Sequence, residues 1–224
     1  MAPSAVIVAG GSGRRFGEKK QFLDLAGIPV LKRSVASFDG SALIEKIVVV
    51  VPGEDLDRTR ALLSGTRTPL AVCSGGPSRR GSVFNGLMLL RAGDIVLIHD
   101  GVRPFVSDAL ITRVIEGLPG FDACIPALPV VSTLKEVEER LVKQTISREH
   151  LYEVQTPQAF VLNNILQAHE AARDNPAIDI TDDAALIEAE GGRVRVIEGD
   201  ACNIKITRRE DLVLAEVLAK WHTG

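Results

Sequence analysis

Two rhythms of apolar and polar positions trade places along this chain. Ala5-Val6-Ile7-Val8-Ala9 and Lys46-Ile47-Val48-Val49-Val50-Val51 are apolar, largely β-branched runs, the second closed by Pro52-Gly53, and the pattern predicts strands buried on both faces. Leu70-Ala71-Val72-Cys73 and Ile95-Val96-Leu97-Ile98 follow the same pattern. Between them, 54–63 and 78–91 carry helical spacing, the second through Val83, Leu87 and Leu90. Strands alternating with helices predict an α/β fold: a mostly parallel sheet covered on both faces and joined by right-handed crossovers.

The middle of the chain breaks this rhythm. Pro126-Ala127-Leu128-Pro129 ends a strand, and 130–155 then lacks a long helical stripe. Thr133-Leu134-Lys135-Glu136-Val137 and Leu141-Val142-Lys143-Gln144 flank the charged turn Glu138-Glu139-Arg140, which is the pattern of a hairpin. A hairpin leaving an α/β core exposes strand edges and needs a partner surface, so a homodimer through a β-arm at 130–155 is expected. Beyond it, 160–173 and 182–190 read as helices, with Gly191-Gly192 stopping the second. Arg193-Val194-Arg195-Val196-Ile197 and Asn203-Ile204-Lys205-Ile206-Thr207 read as strands. Thr207-Arg208-Arg209-Glu210 reads as a capping box that opens a terminal helix with Leu212, Leu214, Ala215 and Leu218 on its apolar side.

The chain's 224 residues suit one large domain, 1–224, with a single hydrophobic core. A net charge of -3 argues against a nucleic-acid or anionic-membrane partner, so any anion must be held by local clusters of Lys and Arg. No apolar run approaches the length of a membrane span, and the first residues lead into a strand without a basic leader, so the expected compartment is the cytoplasm. Cys73, Cys124 and Cys202 are widely spaced and form no C-x-x-C pair, which indicates small buried hydrophobes rather than a zinc site or a disulfide framework.

Ligands of such folds collect at the carboxyl ends of the strands, and three chemical stretches fall there. The first is Gly10-Gly11-Ser12-Gly13-Arg14-Arg15-Phe16-Gly17-Glu18-Lys19-Lys20. Glycines let backbone amides approach phosphate oxygens, and the cations supply compensating charge. The spacing excludes a dinucleotide fingerprint, because Phe16 stands where glycine or alanine is needed. It also excludes a P-loop, because Glu18 rather than Lys follows Gly17. The second stretch, Gly75-Gly76-Pro77-Ser78-Arg79-Arg80-Gly81-Ser82, precedes a helix and can point amides and the Ser82 hydroxyl at a base or phosphate. A turn with a helix cap would account for the same residues. The third is His99-Asp100-Gly101-Val102-Arg103-Pro104, where Asp100 can bind Mg²⁺ or cap a turn, and His99 suits a structural role better than that of a base.

In order along the chain, these segments resemble the 2-C-methyl-D-erythritol 4-phosphate cytidylyltransferases of the non-mevalonate isoprenoid pathway. The resemblance rests on Ala9 through Arg15, Lys20-Gln21-Phe22-Leu23, Gly75-Gly76 through Arg79 to Ser82, His99-Asp100 with Arg103-Pro104, Thr156-Pro157-Gln158, Thr181-Asp182, and Asn203-Ile204-Lys205. It implies a Rossmann-like three-layer nucleotidyltransferase fold with a protruding β-arm, a homodimer joined by that arm, and transfer of CMP from CTP to the polyol phosphate with Mg²⁺. It assigns Arg15 and Lys20 to the α-phosphate, Arg148 and Lys205 to the acceptor phosphate, Gly76 and Ser82 to cytosine, and Gly10, Gly11 and Gly13 to the triphosphate. Thr133 would reach the acceptor from the partner subunit. Arg79, Asp100, Arg103, Thr156, Thr181 and Asp182 complete the expected substrate site, with Asp100 as metal ligand if Mg²⁺ is not held by the CTP phosphates alone.

Three places in the chain depart from the family pattern. Lys19 stands where a proline usually precedes the lysine, which makes it a competitor of Lys20. Pro77 replaces an aspartate that often contacts the nucleotide, and Gly101-Val102 replaces a commoner small pair. The nearest rival activity is the same chemistry on another polyol phosphate such as ribitol 5-phosphate. A rival of another class is a nucleotide-binding module without catalysis, against which the acceptor-side cations Arg148 and Lys205 argue.

Overall fold

The computed structural model describes residues 3–11, 16–91, 95–174 and 182–222. The first half runs β1 (Ser4–Val8), the two-residue strands β2 (Asp24–Leu25) and β3 (Ile28–Pro29), α1 (Val30–Asp39), β4 (Lys46–Val51), α2 (Leu56–Leu62), β5 (Leu70–Ser74), α3 (Arg79–Leu87) and β6 (Ile95–Asp100). Its expected strands and helices form, and between β1 and β4 the structure adds β2, β3 and α1, for which the apolar pattern gives no expectation. After α4 (Asp108–Gly117) and β7 (Ala123–Pro129) comes the hairpin of β8 (Leu134–Glu138) and β9 (Leu141–Ile146). Then follow β10 (Tyr152–Val154), β11 (Gln158–Val161), α5 (Leu162–Ala171), α6 (Ala184–Ala189), β12 (Val194–Glu198) and α7 (Arg209–His222).

The described strands of the main sheet run β10-β7-β11-β6-β1-β4-β5, with β12 added on β7. β1 pairs in parallel with both β4 and β6, β4 with β5, and β12 with β7, while β11 and β10 run antiparallel to their neighbours. Alternate side chains of each strand feed opposite layers. Ala5, Ile7, Ile47 and Val49 join Leu31, Val35 and Phe38 of α1 and Leu110, Ile111 and Val114 of α4. Val6, Val48 and Val50 join Val83 and Leu87 of α3 and Leu162 and Ile165 of α5. Burial on both faces is why β1 and β4 are continuous apolar runs. Gly86 lets α3 lie close to this sheet, since a Cβ there would stand 2.6 Å from Val6 Cγ1 and 2.8 Å from Val50 Cγ2.

Four local expectations need correction. Phe160 and Val161 belong to β11, not to the following helix, because they hydrogen-bond in register with β6, and α5 starts at Leu162. Asn203-Ile204-Lys205-Ile206-Thr207 forms no strand; its Ile206 N–H donates to the Val102 carbonyl at 3.0 Å, an isolated bond beside the loop after β6. The cap of α7 uses Asp211 rather than Glu210, its Oδ2 accepting from the N–H groups of Thr207 and Arg208 and from the Thr207 hydroxyl. On α7 the buried positions are Ala215 and Ala219, whereas Leu214 is exposed. All three cysteines are free thiols, with Cys124 buried and Cys73 and Cys202 half-buried.

The hairpin pairs with itself across Leu134–Glu138 and Leu141–Ile146, and the end of the expected 130–155 arm returns to the main sheet, where Tyr152–Val154 pair with β7. No described helix is long and apolar enough to cross a membrane.

Candidate active site

From β1 the chain moves outward to β4 and β5 and then crosses back to β6 on the other side of β1, which opens a crevice at the carboxyl ends of β1 and β6. Val8 and Asp100 are register partners there, so the glycine loop after β1 and the Asp100 carboxylate emerge side by side.

Two cavities meet at this crevice. One, of about 380 Å³, is lined by Gly10, Gly11, Lys20, Gly76, Ser82 and Val102, among others. The other, of about 370 Å³, is lined by Arg103, Thr156, Gln158, Asp182 and Glu188 together with Val154 and Gln155 at the root of the hairpin. Arg79, Asp100 and Lys205 line both and form the wall between them.

That wall is an ion cluster. Lys205 Nζ lies 2.8 Å from Asp100 Oδ2, and Arg103 Nε and Arg79 Nη2 each stand 3.6 Å from one of the carboxylate oxygens. Burial alone would raise the Asp100 pKa, but the charges of Lys205, Arg79 and Arg103 outweigh it and hold the carboxyl well below the usual carboxylate range. Arg79 is also anchored by Asp183, with Nη1 donating to Oδ2 at 2.7 Å. Three cations face this one carboxylate, so the wall turns cationic donors toward both cavities, although Asp183 takes up part of the Arg79 charge and Asp182 and Glu188 offset the rest in the second cavity. Donors of this kind suit polyphosphate on one side and a phosphate monoester on the other.

A proton-ordered network holds the wall in place. His99 Nε2 lies 3.1 Å from the Arg103 carbonyl, which can only accept, so this nitrogen carries the hydrogen. His99 Nδ1 then accepts from the Thr156 hydroxyl at 3.0 Å, and that hydroxyl oxygen accepts from the Asp100 N–H at 3.0 Å. Burial pushes the His99 pKa down to about 4, so the ring is neutral at ordinary pH. Asn203 completes the frame, accepting from Arg103 Nη1 through its carbonyl at 2.8 Å and donating Nδ2 to the Thr156 carbonyl at 2.7 Å. The Thr156-Pro157 peptide is cis.

On the glycine side, Ser82 Oγ accepts from the Gly76 N–H at 3.1 Å and donates to the Ser78 carbonyl at 2.9 Å, so the hydroxyl shapes the loop that borders the cavity. A Cβ on Gly76 would stand 2.9 Å from the Gly81 backbone, so only glycine permits this close turn. The two lysines separate cleanly. Lys19 Nζ turns away to Asp55 Oδ2 at 2.5 Å and Glu54 Oε1 at 3.1 Å, whereas Lys20 lines the cavity and donates to the Ile206 carbonyl at 3.2 Å.

Of the expected site residues, Gly10, Gly11, Lys20, Gly76, Arg79, Ser82, Asp100, Arg103, Thr156, Asp182 and Lys205 therefore gather around two adjoining cavities. Asp182 also caps α6, accepting from the Ala185 N–H at 3.2 Å and from Gln158 Nε2 at 2.7 Å. Gly13, Arg15 and Thr181 lie outside the described residues. Arg148 and Thr133 do not join the others within one chain: both are exposed on the hairpin, where Arg148 donates to the Val131 carbonyl. Sequence reasoning missed Asp183 and Asp55, the acids that orient Arg79 and Lys19. The doubled Asp182-Asp183 ahead of a short helix was the only signal for the first; nothing marked the second.

Residues 4–220 match the family model described as 2-C-methyl-D-erythritol 4-phosphate cytidylyltransferase (IspD). A 2-C-methyl-D-erythritol 4-phosphate cytidylyltransferase of Geobacillus thermodenitrificans is 42% identical over 218 residues, covering 96% of this chain and 95% of the relative. One from Geobacter metallireducens is 41% identical, with 98% of each chain covered. Among solved structures, 4-diphosphocytidyl-2C-methyl-D-erythritol synthase from Anaerococcus prevotii superimposes with a TM-score of 0.87 at 31% identity, covering 98% of this chain and 96% of that one. The Thermus thermophilus 2-C-methyl-D-erythritol 4-phosphate cytidylyltransferase gives a TM-score of 0.80 at 34% identity, covering 98% of this chain and 100% of that one.

Proposed function

The chain belongs to the 2-C-methyl-D-erythritol 4-phosphate cytidylyltransferase family, and we propose that it transfers CMP from CTP to 2-C-methyl-D-erythritol 4-phosphate. The observation that carries this reading is the shared wall of Arg79, Asp100 and Lys205, cationic on balance, between a glycine-lined cavity and a second polar one. CTP occupies the first, with its base at Gly76 and Ser82 and its phosphates along Gly10, Gly11 and Lys20. The acceptor phosphate occupies the second, against Lys205 and Arg103. An acceptor phosphate oxygen attacks the α-phosphorus in line, the α–β anhydride bond breaks, and pyrophosphate leaves with its electron pair. The attacking group is already an anion, so the task is to hold two anions together and to stabilise added charge at the α-phosphate. No base is required, in keeping with a His99 whose nitrogens are both committed to structure. Lys20 supports the charge on the α-phosphate from this face, with Arg15 assigned beside it.

Mg²⁺ fits this site as an ion shared with the nucleotide rather than as a resident one. Asp100 offers one carboxylate, and among the described residues no group of three His, Cys, Asp or Glu side chains gathers. Asp100 and the triphosphate would hold it, and when bound it shields phosphate charge and polarises the reacting phosphate.

Arg148 and Thr133 enter this scheme from a second copy. The hairpin carries exposed Val131, Val137, Leu141 and Val142, with Leu141 73% exposed, and an apolar two-stranded arm of this kind needs cover. A homodimer through the arm supplies that cover, and the open acceptor cavity at the arm's root, bordered by Val154 and Gln155, is where partner residues would arrive. The reaction is assigned to the cytoplasm. Pyrophosphate release with CTP and Mg²⁺ across a panel of polyol phosphates tests the whole reading. Release is expected with 2-C-methyl-D-erythritol 4-phosphate; release only with ribitol 5-phosphate would move the acceptor, and none with any acceptor would overturn it.

A further inference from the structure

A third cavity, of about 390 Å³, lies where the first turns of α3 meet the end of α5. Ser78, Arg80 and Phe84 line it from one side, His169 and Arg173 from the other. The described lining contains no carboxylate, although it brings two guanidinium groups together. Arg80 spends one N–H group on the Ala172 carbonyl at 2.8 Å, which fixes the guanidinium and leaves its remaining donors for a ligand. The Arg173 guanidinium stands 5.5 Å over the Phe84 ring. The Ser78 oxygen caps α3 by accepting from the Gly81 N–H at 3.0 Å, so its own hydrogen stays available to donate.

His169 is the independent sign of a ligand. Its side chain is only 1% exposed, yet neither ring nitrogen has a hydrogen-bond partner. The nearest acid, Asp183 Oδ1, is 3.7 Å from Nε2, beyond hydrogen-bond reach, and is itself without a partner. A buried, unpaired imidazole beside two arginines, with no carboxylate among the described lining residues, is disfavoured by itself and favoured by an anion bound against it.

We propose that this cavity binds a small oxyanion of the phosphate class, held by Arg80 and Arg173 and completed by His169 and the Ser78 hydroxyl. The volume exceeds that of a bare phosphate, so a short carbon body can rest against Phe84 and Pro77. The site is separate from the reaction described above, but it is not isolated from it. Pro77 and Ser78 border both this cavity and the proposed nucleotide cavity, and Asp183, which holds Arg79 at 2.7 Å, stands 3.7 Å from His169.

The test follows the His169 imidazole C–H resonance, assigned by its disappearance in His169→Gln, while inorganic phosphate or glycerol 1-phosphate is added to the intact protein. A saturable shift with a midpoint near or below about 1 mM is expected for at least one probe, and its loss in Arg80→Gln. Saturation by phosphate assigns the site to the free ion, and by the ester alone to an organic phosphate; either supports the proposal. A resonance that neither probe moves, or a shift that persists unchanged in Arg80→Gln, overturns it, since the second result would come from phosphate in the reaction site. If Arg80→Gln does not fold, Arg173→Gln, at an exposed side chain, carries the same comparison.

Discussion

Lys205 Nζ and Asp100 Oδ2 lie 2.8 Å apart, so one ion pair joins the end of β6 to the segment just before α7. The same carboxylate faces Arg79 and Arg103, and the resulting wall divides the glycine-lined cavity from the second polar one, the cavities proposed for nucleotide and acceptor. Function and stability therefore share a single acid.

Replacing that acid should show both roles. In Asp100→Asn the cations keep their repulsion and lose their counter-charge, and we expect about 2–3 kcal/mol of destabilisation, below the full cost of breaking a buried pair because Lys205 is 41% exposed. The folded pKa of Asp100 is depressed below the ordinary 3.8. Its stabilisation is thus complete above that value and is lost as pH falls through the folded pKa. Urea unfolding midpoints should fall more steeply with acid in the wild type than in the variant; parallel curves would contradict the assignment.

The adjacent lysines should behave differently. Lys20→Ala is expected to lower kcat by about 10²–10³-fold with a much smaller change in the KM for CTP, the signature of an interaction made mainly in the transition state. Lys19→Ala loosens the loop from Asp55 and should cost less than about tenfold. Steady-state pyrophosphate release decides between them, and equal losses in both variants would place Lys19 in the site.

Ser82→Ala removes the acceptor for the Gly76 N–H and the donor to the Ser78 carbonyl. The loop bordering the nucleotide should relax, raising the KM for CTP by about tenfold while kcat changes little. A fall in kcat alone would assign the hydroxyl to the chemical step.

His99 titrates in the folded protein at about 4, below its ordinary 6.5. As pH falls the unfolded chain takes up the proton first, so stability is complete above 6.5 and declines as pH drops toward 4, by up to about 3 kcal/mol. Imidazole resonances should place this titration directly. A pH–rate profile dominated by a group near 6.5 that vanishes in His99→Gln would instead make the ring a base.

Val142→Asp puts a charge on the arm at an exposed apolar residue that lines neither cavity of its own chain. On the proposed arm-mediated homodimer, sedimentation of the variant should report a monomer where the wild type reports a dimer, and turnover should fall as the proposed contribution of Arg148 and Thr133 to the partner's site is lost. An unchanged sedimentation coefficient would remove the arm from the interface.

The layers of this fold are legible in the chain because burial leaves a periodic trace. Ala5 to Ala9 and Ile47 to Val51 are apolar throughout since both faces are covered, whereas Leu134–Glu138 and Leu141–Ile146 mix a few apolar residues with polar ones since the hairpin lies open. The same local signal misleads where pairing decides the structure. Phe160 continues the apolar stripe of α5 yet bonds to β6, and Asn203-Ile204-Lys205-Ile206-Thr207 alternates like a strand but forms no ladder. The glycine- and lysine-rich loops are also legible as the proposed phosphate site, because that chemistry needs those residue types close together in sequence.

What only the tertiary structure decided is which groups face one another. Lys19 and Lys20 are indistinguishable as letters; Asp55 draws one aside, and the Ile206 carbonyl holds the other at the cavity. Asp183 carries no periodic signature, yet it orients Arg79 across the layer formed by α3 and α6. Sequence patterns record how each segment meets solvent and core, whereas an ion pair between distant loops depends on where the whole chain closes.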